Sequence, residues 1–455
     1  MRKNRIDLLN GPIYRQILLF FFPIMLGTFF QQLYNTVDAI VVGNFVGKEA
    51  LGAVGGSTGT LINLLIGFIN GLASGATVVI AQSYGAKDDK GVRDGVRSGM
   101  FLGIALGAAL MVLGIIMTPG LLRILNVPAD IFPYSLTYMR IYLFGLVPTM
   151  IYNVGSGILR AVGDSKRPLY FLIVSCIINI ILDILLVAVF RLGVVGVALA
   201  TIVSQLASAV LVIHVLGKGE AVYFDLKDFG YDKKILGRII VIGLPMGLQS
   251  ILYSVSNLFI QSEVNIYGTD TVAAYTAFGK IDAIFWMIST AYGAATVTIV
   301  GQCFGAGKID RAKKACWTAV LMYVISSAII SLSCCLLGNG LYNLFTDDAN
   351  VIRIGLEMLL FIAPFWTSFV FVEIFSCAIR ACGESFKPML ITAICICGLR
   401  IIWILFYPSN SVLETMYCYP LSWILTSIVF LIYFLKGGWL KRQLRKRELS
   451  LKTAQ

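Results

Sequence analysis

The 455-residue sequence contains a single histidine, His214, and only 13% of its residues are charged. It has no glycine-rich phosphate-binding loop, and no serine, histidine and acidic residues form a candidate catalytic set. Nine of its 10 cysteines lie in the second half, mostly within hydrophobic stretches, and no Cys-x-x-Cys pair occurs. We therefore expect neither an enzyme nor a bound cofactor, and we interpret the cysteines as small packing residues.

Hydrophobic residues make up 58% of the chain, and the mean hydropathy is +0.85. Because lipid cannot satisfy backbone hydrogen bonds, and because the apolar runs do not alternate with polar residues, each run is predicted to be a helix. The sequence thus predicts an all-α integral membrane protein with twelve transmembrane helices. The predicted spans are 15–43, 51–82, 95–119, 131–158, 168–190, 193–217, 236–266, 271–302, 312–340, 351–379, 388–407 and 413–436.

The second half of the chain repeats the first at an offset of about 220 residues. Three pairs of short segments show the repeat: Pro23 with Pro245, 82–86 (QSYGA) with 302–306 (QCFGA), and 159–165 (LRAVGDS) with 379–385 (IRACGES). An even number of spans in each copy makes the repeat parallel. We therefore expect two pseudo-symmetric six-helix lobes around a cavity that opens to either side of the membrane.

The predicted lobes are residues 1–217 and 236–437. Between them lies a polar linker at 218–235, and a basic tail follows at 438–455. Basic residues are concentrated in the linker, the tail and alternate loops, so the positive-inside rule predicts that both termini are cytoplasmic in a multi-pass protein of the plasma membrane. The net charge of +12 follows from this topology, and we expect contact with anionic lipid but no nucleic-acid partner. The protein is expected to act as a monomer.

Polar residues inside apolar helices are costly and usually face a helix bundle or a wet cavity. In the first lobe such residues occur on three spans, and Asp38, Asp183 and Thr201 lie at comparable depths of roughly 8–12 Å from the outer helix ends. The polar residues are Tyr34, Asn35 and Asp38 on the first span, Asn179 and Asp183 on the fifth, and Thr201 on the sixth.

Asp38 and Asp183 are the candidate coupling-ion site. Two carboxyl groups close together in a medium of low dielectric constant can share a proton or bind a cation, because two bare negative charges repel strongly there. Asn179 and Thr201 would then supply neutral oxygen ligands to Na⁺. The alternative is that both acids make structural hydrogen bonds between helices.

The second lobe does not copy this set, since Asp38, Asn179 and Asp183 correspond to apolar residues there. It carries Lys280 and Asp282 on the eighth span instead, and Glu373 on the tenth, where the first lobe has Asn153. We expect Asn153 and these three charged residues to shape a substrate cavity. Lys280 and Asp282 could neutralise one another, although a spacing of two does not place them on one helix face.

With twelve spans, two lobes and both motif pairs, the sequence resembles the multidrug and toxic compound extrusion (MATE) transporters over nearly its whole length. Pro23, Asp38, Asn179 and Asp183 are similar to the DinF-type (MepA-like) branch. The resemblance implies a bacterial antiporter of the inner membrane that extrudes amphipathic, often cationic compounds against inward H⁺ or Na⁺ flow.

The resemblance also assigns roles to single residues. It implies that Asp38, Asn179 and Asp183 bind the coupling ion, that Tyr34, Asn153 and Thr201 neighbour the cavity, and that the helix bends at Pro23 during gating. Glu263 and Glu373 do not clearly match the essential acids of the NorM-like branch, so that role is not transferred.

Two other functional classes are alternatives. A lipid-linked precursor or polysaccharide flippase shares the architecture, but it is expected to line its cavity with several basic residues, and only Lys280 is a candidate within the predicted spans. A membrane enzyme or a receptor is disfavoured by the missing catalytic set and by the duplication.

Overall fold

The computed structural model describes residues 6–125, 127–219, 222–225 and 229–452, without the side chains of residues 48, 57 and 446–452. Parts of the predicted linker (220–221, 226–228) and tail (453–455) lie outside the described residues. Throughout the described ranges the ordered elements are helices and no β-strand occurs. The all-α prediction is confirmed, as expected where lipid offers the backbone no partners.

Eighteen α-helices are numbered in chain order over the described residues. They are α1 (Ile13–Phe45), α2 (Lys48–Gly55), α3 (Ser57–Gly85), α4 (Asp89–Ile124), α5 (Phe132–Phe144), α6 (Leu146–Ala161), α7 (Lys166–Asp183), α8 (Gly193–Gly217), α9 (Lys233–Val264), α10 (Thr269–Gly305), α11 (Ile309–Asn343), α12 (Ala349–Ile362), α13 (Trp366–Ala381), α14 (Phe386–Thr392), α15 (Leu399–Phe406), α16 (Val412–Met416), α17 (Cys418–Lys436) and α18 (Gly438–Lys452). Short 3₁₀ turns span Asn265–Tyr267 and Ala363–Phe365, and π-helical turns span Ile184–Val189 and Ala393–Gly398.

In the described part of the chain, eleven helical segments are long and apolar enough to cross a membrane. The pair α5 and α6, which is bent by 47° at Gly145, passes the same test together and makes a twelfth when it is counted as one span. Each of these segments coincides with one predicted span, so the structure agrees with the prediction to the extent of eleven to twelve candidate transmembrane helices.

The chain forms two compact units, here called unit 1 and unit 2. Unit 1 comprises the described residues of Met1–Asp7 and Phe22–Gly247, and unit 2 those of Leu8–Phe21 and Leu248–Gln455. The boundaries fall inside α1 and α9, beside Pro23 and Pro245. The first part of α1 therefore groups with unit 2 and the first part of α9 with unit 1, which differs from the predicted lobes at these two segments.

The two copies of the arginine-containing motif fold into the same turn. Gly163 and Gly383 both have a φ of 94°. A residue with a side chain would be strained in this backbone conformation, which explains the glycine in each copy. The Gly163 amide donates to the Arg160 carbonyl at 2.9 Å, and the Gly383 amide donates to the Arg380 carbonyl at 2.8 Å. These identical helix ends show that the sequence repeat is also a structural repeat.

The acidic residue after each of these glycines has a different partner. Asp164 accepts a hydrogen bond from the Arg167 amide at 3.1 Å, and its Oδ2 forms an ion pair with Arg167 Nε at 3.3 Å. Glu384 instead accepts from Gln443 Nε2 at 3.1 Å, and Arg442 lies 3.7 Å away. The second copy thus anchors α18, an element with no counterpart among the described residues of unit 1.

Within unit 1, α3 and the first part of α9 cross at glycines. A Cβ atom added to Gly71 would lie 2.2 Å from the Gly247 backbone nitrogen, and one added to Gly75 would lie 2.8 Å from Gly243 Cα. Small residues let two transmembrane helices approach backbone to backbone. This crossing fixes the first part of α9 on unit 1.

Candidate functional site

The polar residues predicted on the first and fifth spans are buried in unit 1. Asp38 lies on α1 and is 5% exposed, while Asn179 and Asp183 lie one turn apart on α7 and are fully buried. A spacing of four puts the two α7 side chains on one helix face. The structure therefore brings together three of the four residues, all except Thr201, that the sequence suggested as a coupling-ion site.

Asp38 has both α7 residues as immediate neighbours. Even so, the orientation of the groups leaves polar atoms without hydrogen bonds. Among the described residues, Asp38 Oδ1, both polar atoms of the Asn179 amide and both carboxyl oxygens of Asp183 lack a partner. Buried polar atoms in folded proteins nearly always have partners, so such a cluster points to a functional site.

The helix changes its type directly after Asp183. This residue ends α7, and a π-helical turn follows at Ile184–Val189. A π-turn adds a residue to the helical repeat and changes the facing of the side chains that follow, and such turns are frequent at functional sites. The turn places Val187 in a buried apolar cluster that also contains Val41 of α1 and Tyr138 of α5.

Aromatic and aliphatic side chains surround the acidic pair. Tyr34 is buried on α1, where its hydroxyl accepts a hydrogen bond from Gln205 Nε2 of α8 at 3.3 Å. Tyr138 of α5 is also buried and lies within electrostatic range of both Asp38 and Asp183. The adjoining apolar cluster is otherwise built from aliphatic residues and methionines of α1, α2, α3, α5, α6, the π-helical turn and α8, so the carboxyl groups sit in a medium of low polarity.

This arrangement suits a small monovalent cation or a proton. Two carboxyl groups and an amide oxygen provide hard oxygen ligands, and one added positive charge relieves the repulsion between the acids. No cluster of three or more histidine, cysteine or acidic residues able to hold a metal was found among the described residues. The candidate ligands for a cation at this site are the two carboxyl groups and neutral oxygen atoms.

The remaining predicted residues of this half occupy less central positions. Thr201 is buried on α8, but its hydroxyl donates to the Val197 carbonyl at 3.0 Å, which leaves only its lone pairs for an ion. Asn35 is exposed on α1, and Asn153 is partly buried on α6. Pro23 lies inside α1, which stays helical on both sides of it.

In unit 2, Asp282 is held by two tryptophans. Its carboxylate accepts hydrogen bonds from Trp286 Nε1 at 2.6 Å and from Trp366 Nε1 at 2.9 Å. Lys280 is exposed on the same helix, α10, and forms no ion pair with Asp282. The suggested neutralisation of Asp282 by Lys280 is therefore wrong, because a spacing of two points the side chains in different directions.

Arg400, which the sequence reasoning missed, lies within electrostatic range of Asp282. Arg400 is 2% exposed on α15, and its guanidinium carbon lies 4.4 Å from the centre of the Tyr419 ring. It donates through Nε to Ser422 Oγ at 3.2 Å and through Nη1 to Asn257 Oδ1 at 3.4 Å. The statement that only Lys280 is basic within the spans is thus wrong, and Arg400 inside an apolar run was the signal.

Glu373 lies partly buried on α13, where its carboxyl accepts a weak hydrogen bond from Cys377 Sγ at 3.3 Å. A Cβ atom on Gly293 of α10 would meet this carboxyl at 2.2 Å, so the glycine makes room for the acid. Arg380 of the same helix is within electrostatic range. Unit 2 therefore has its own internal charges, arranged differently from those of unit 1.

Comparison with known proteins identifies the family. The family model MatE matches the chain twice, over residues 23–185 and 245–406. The two matches begin at the repeated prolines Pro23 and Pro245, which confirms the duplication seen in the sequence.

Curated relatives match over most of their length. One is "Probable multidrug resistance protein YoeA" of Bacillus subtilis, 28% identical over 95% of this chain and 96% of the relative. Another is "Probable multidrug resistance protein NorM" of Thermotoga maritima, 26% identical over 94% of this chain and 93% of the relative.

Solved structures share the fold. A crystal structure of MATE in the straight conformation has a TM-score of 0.87 and 25% identity over 96% of this chain and 98% of that one. An outward-facing multidrug resistance MATE transporter of the MOP superfamily has a TM-score of 0.88 and 24% identity over 97% of this chain and 99% of that one. Because the family model covers more than half of the sequence, this protein belongs to the MatE family of multidrug and toxic compound extrusion transporters.

Proposed function

We propose that this protein is a cation-coupled antiporter that exports amphipathic, often cationic organic compounds across the cell membrane by alternating access. Inward movement of H⁺ or Na⁺ drives the export. Asp38 and Asp183 bind the coupling ion, and Asn179 contributes a neutral oxygen. The names of the relatives, which are multidrug resistance proteins, support the substrate class.

The observation that carries the proposal is the buried carboxyl pair with unpartnered polar atoms. A structural role would engage these atoms in hydrogen bonds between helices, as Asp282 is engaged by two indoles. Keeping two acids together in an apolar cluster without such bonds costs folding free energy. An exchangeable cation that binds between them explains why that cost is retained.

Exchange follows from competition for one negative site. A lipophilic cation is attracted while the acids are charged, and nearby aromatic rings such as Tyr34 and Tyr138 offer it apolar contact area. Binding of H⁺ or Na⁺ removes that charge and lowers the affinity for the organic cation. Because each ligand weakens the binding of the other by the same factor, the two flows are coupled.

The membrane topology and assembly belong to the same proposal. Both termini are assigned to the cytoplasm, since the basic loops, the linker and the start of α18 carry the excess of lysine and arginine. The working unit is taken as a monomer, because the duplication already provides two lobes in one chain.

The proposal is tested by reconstituting the purified protein in liposomes loaded with a fluorescent lipophilic cation such as ethidium. Inward-directed H⁺ and Na⁺ gradients are imposed separately and together, and export is followed by fluorescence. We expect export driven by at least one of the two gradients and abolished by Asp38→Asn. Export by Asp38→Asn at the wild-type rate would refute the site assignment.

A matched control keeps this test specific. Glu357 on α12 is exposed and pairs only with Arg353 one turn away, so Glu357→Gln removes one acid without touching the buried cluster. This variant should export at the wild-type rate under the same gradient. A loss equal to that of Asp38→Asn would show that the assay reports general damage instead of ion coupling.

The structure gives little support to the alternative that the protein is a flippase. Arg400 is a further buried basic residue within the spans, but it stacks on Tyr419 and donates to Ser422. A diphosphate ligand requires several converging cations. The relatives are named for multidrug resistance, which favours the antiporter.

A further inference from the structure

A groove lies in unit 2 between the start of α1 and the start of α11. It has a volume of about 470 Å³ and is open on one side. Its lining consists of Ile13, Tyr14, Lys313, Lys314, Trp317 and Thr318. None of these residues belongs to the acidic site of unit 1 or to the Asp282 cluster.

The lining combines cations with interfacial aromatic rings. Lys313 and Lys314 are exposed, and within the described part of the chain neither ammonium group pairs with a carboxylate. Tyr14 is 58% exposed and Trp317 is 43% exposed. Tyrosine and tryptophan are enriched where a membrane meets water, and lysine attracts the phosphate of a lipid headgroup there.

The groove continues into an apolar strip along the same face of α11. Trp317 is followed at intervals of four by Leu321, which is 61% exposed, and Ile325, which is 51% exposed. The inner edge of the Trp317 ring packs against Phe375 at 5.5 Å between centroids, which fixes its orientation. A ligand with a negatively charged headgroup and long apolar chains matches this surface, which is cationic in the groove and apolar along α11.

The corresponding region of unit 1 is filled by the chain itself. There, Phe101 of α4 packs against Phe229 at 5.2 Å and against Tyr231 at 4.7 Å. The Asp232 amide donates to Ser98 Oγ, the counterpart of Thr318, at 3.0 Å. The linker before α9 thus covers this part of unit 1.

In unit 2 the segment before α1 takes another course. Arg311 donates through Nε to the Leu8 carbonyl at 3.1 Å and through Nη2 to the Gly11 carbonyl at 3.0 Å. This holds the segment beside the first turn of α11, and Asp7 and Leu9 stand where the linker of unit 1 has its two aromatic residues. The groove beside Trp317 is therefore left open.

We propose that this groove is a binding site for an anionic phospholipid of the phosphatidylglycerol class. The phosphate lies between the ammonium groups of Lys313 and Lys314, and the acyl chains run along Leu321 and Ile325. The occupant is a lipid instead of a soluble phosphate because the apolar strip adjoins the cationic end. Charge complementarity selects an anionic lipid over a zwitterionic one.

The test uses delipidated full-length protein in a neutral detergent, with dioleoylphosphatidylglycerol as the probe and the midpoint of thermal unfolding as the readout. A ligand that binds only the folded state raises that midpoint. We expect a clear rise with phosphatidylglycerol, and little or none with phosphatidylcholine or with soluble glycerol 3-phosphate. Equal rises with phosphatidylcholine would overturn the proposal, and an equal rise with glycerol 3-phosphate would assign the groove to free phosphate.

Variants locate the site. Lys313→Gln/Lys314→Gln should weaken apparent phosphatidylglycerol binding by about tenfold or more, since each lysine near an anionic lipid contributes appreciably. Lys313→Arg/Lys314→Arg should bind nearly as wild type, which separates loss of charge from misfolding. Arg93→Gln, at the position of unit 1 that corresponds to Lys313, should leave binding unchanged. Unchanged binding by the double glutamine variant would overturn the proposal.

Discussion

Asp38 on α1 lies beside Asp183 at the end of α7, and neither carboxyl group is more than 5% exposed. The two residues come from distant parts of the first repeat, and their counterparts in the second repeat are apolar. Asp282 of unit 2 is also acidic, but two indole N–H groups satisfy it. These buried acids are therefore of two kinds. Asp38 and Asp183 have oxygen atoms without hydrogen-bond partners, whereas both oxygens of Asp282 accept hydrogen bonds.

This contrast predicts opposite effects of the same substitution. Asp282→Asn should lower the free energy of unfolding by about 2 kcal/mol, because the amide NH₂ would face an indole N–H and leave it unpaired. Asp183→Asn should leave stability unchanged or raise it, since it removes repulsion between two buried carboxyl groups. Thermal unfolding of both variants in one detergent measures the difference, and a larger loss for Asp183→Asn would contradict the assignment.

Arg400 should be a major determinant of the stability of unit 2. Arg400→Met keeps the approximate volume but removes the cation from Asp282 and the stacking on Tyr419. We expect a loss of about 2–3 kcal/mol, because Ser422 and Asn257 would lose a charged hydrogen-bond donor.

The control for Arg400 is Arg353→Gln, which breaks an exposed pair with Glu357 on α12. Exposed pairs contribute between about 0 and 1 kcal/mol, so the midpoint of unfolding should hardly move. Equal shifts for the two arginine variants, measured side by side, would show that the buried position of Arg400 has no special weight.

The helix crossing in unit 1 makes a steric prediction. Gly71→Ala would push a Cβ atom to 2.2 Å from the Gly247 nitrogen, so α3 and α9 would have to separate. We expect a loss of at least about 2 kcal/mol from such overpacking. Gly237→Ala, in the same α9 but with no atom within 4 Å of the new Cβ, should be neutral or stabilising by up to about 1 kcal/mol.

The Gly71 result is read from expression level and unfolding midpoint, with Gly237→Ala purified in parallel. Similar midpoints for the two alanine variants would mean that α3 and α9 do not touch through their glycines. Such a result would also remove the reason for grouping the first part of α9 with unit 1.

Arg311 should control the order of the segment before α1. Its guanidinium group donates to two carbonyls of residues 8–11 and to Gln16 Oε1 at 2.8 Å, a fork that lysine cannot reproduce. Arg311→Lys should therefore speed amide hydrogen exchange in peptides covering residues 6–16. Arg93→Lys on the exposed face of α4 should leave that exchange unchanged, and equal exchange in both variants would argue against the anchoring role.

Most of the fold follows from local patterns. Long apolar runs can only be helices in lipid, and the repeated motifs mark helix ends where a glycine of positive φ is needed, as at Gly163 and Gly383. The proximity of Asn179 and Asp183 follows from their spacing, and that of Asp38 from its depth in the membrane. These features depend on periodicity and length, which the sequence displays directly.

Other features depend on packing that periodicity does not reveal. Gln205 reaches Tyr34 from another helix, and Asp282 meets Trp366 from α13 instead of its neighbour Lys280. The division of α1 beside Pro23 requires knowing which helices it packs against. Arg400 is a single charge in an apolar run, and its partners Asn257 and Ser422 lie on other helices, so periodicity does not reveal its role.

The most direct test of the central claim is the stoichiometric release of the coupling ion when substrate binds. Tetraphenylphosphonium is added to purified, detergent-solubilised protein, with a pH indicator in weak buffer to detect H⁺ and with ²²Na⁺ to detect bound sodium. We predict that the wild type releases one of these ions on binding, and that Asp38→Asn and Asp183→Asn release far less while Glu357→Gln releases the wild-type amount. Substrate binding without release of either ion, or undiminished release from the Asp38→Asn/Asp183→Asn double variant, would contradict the account.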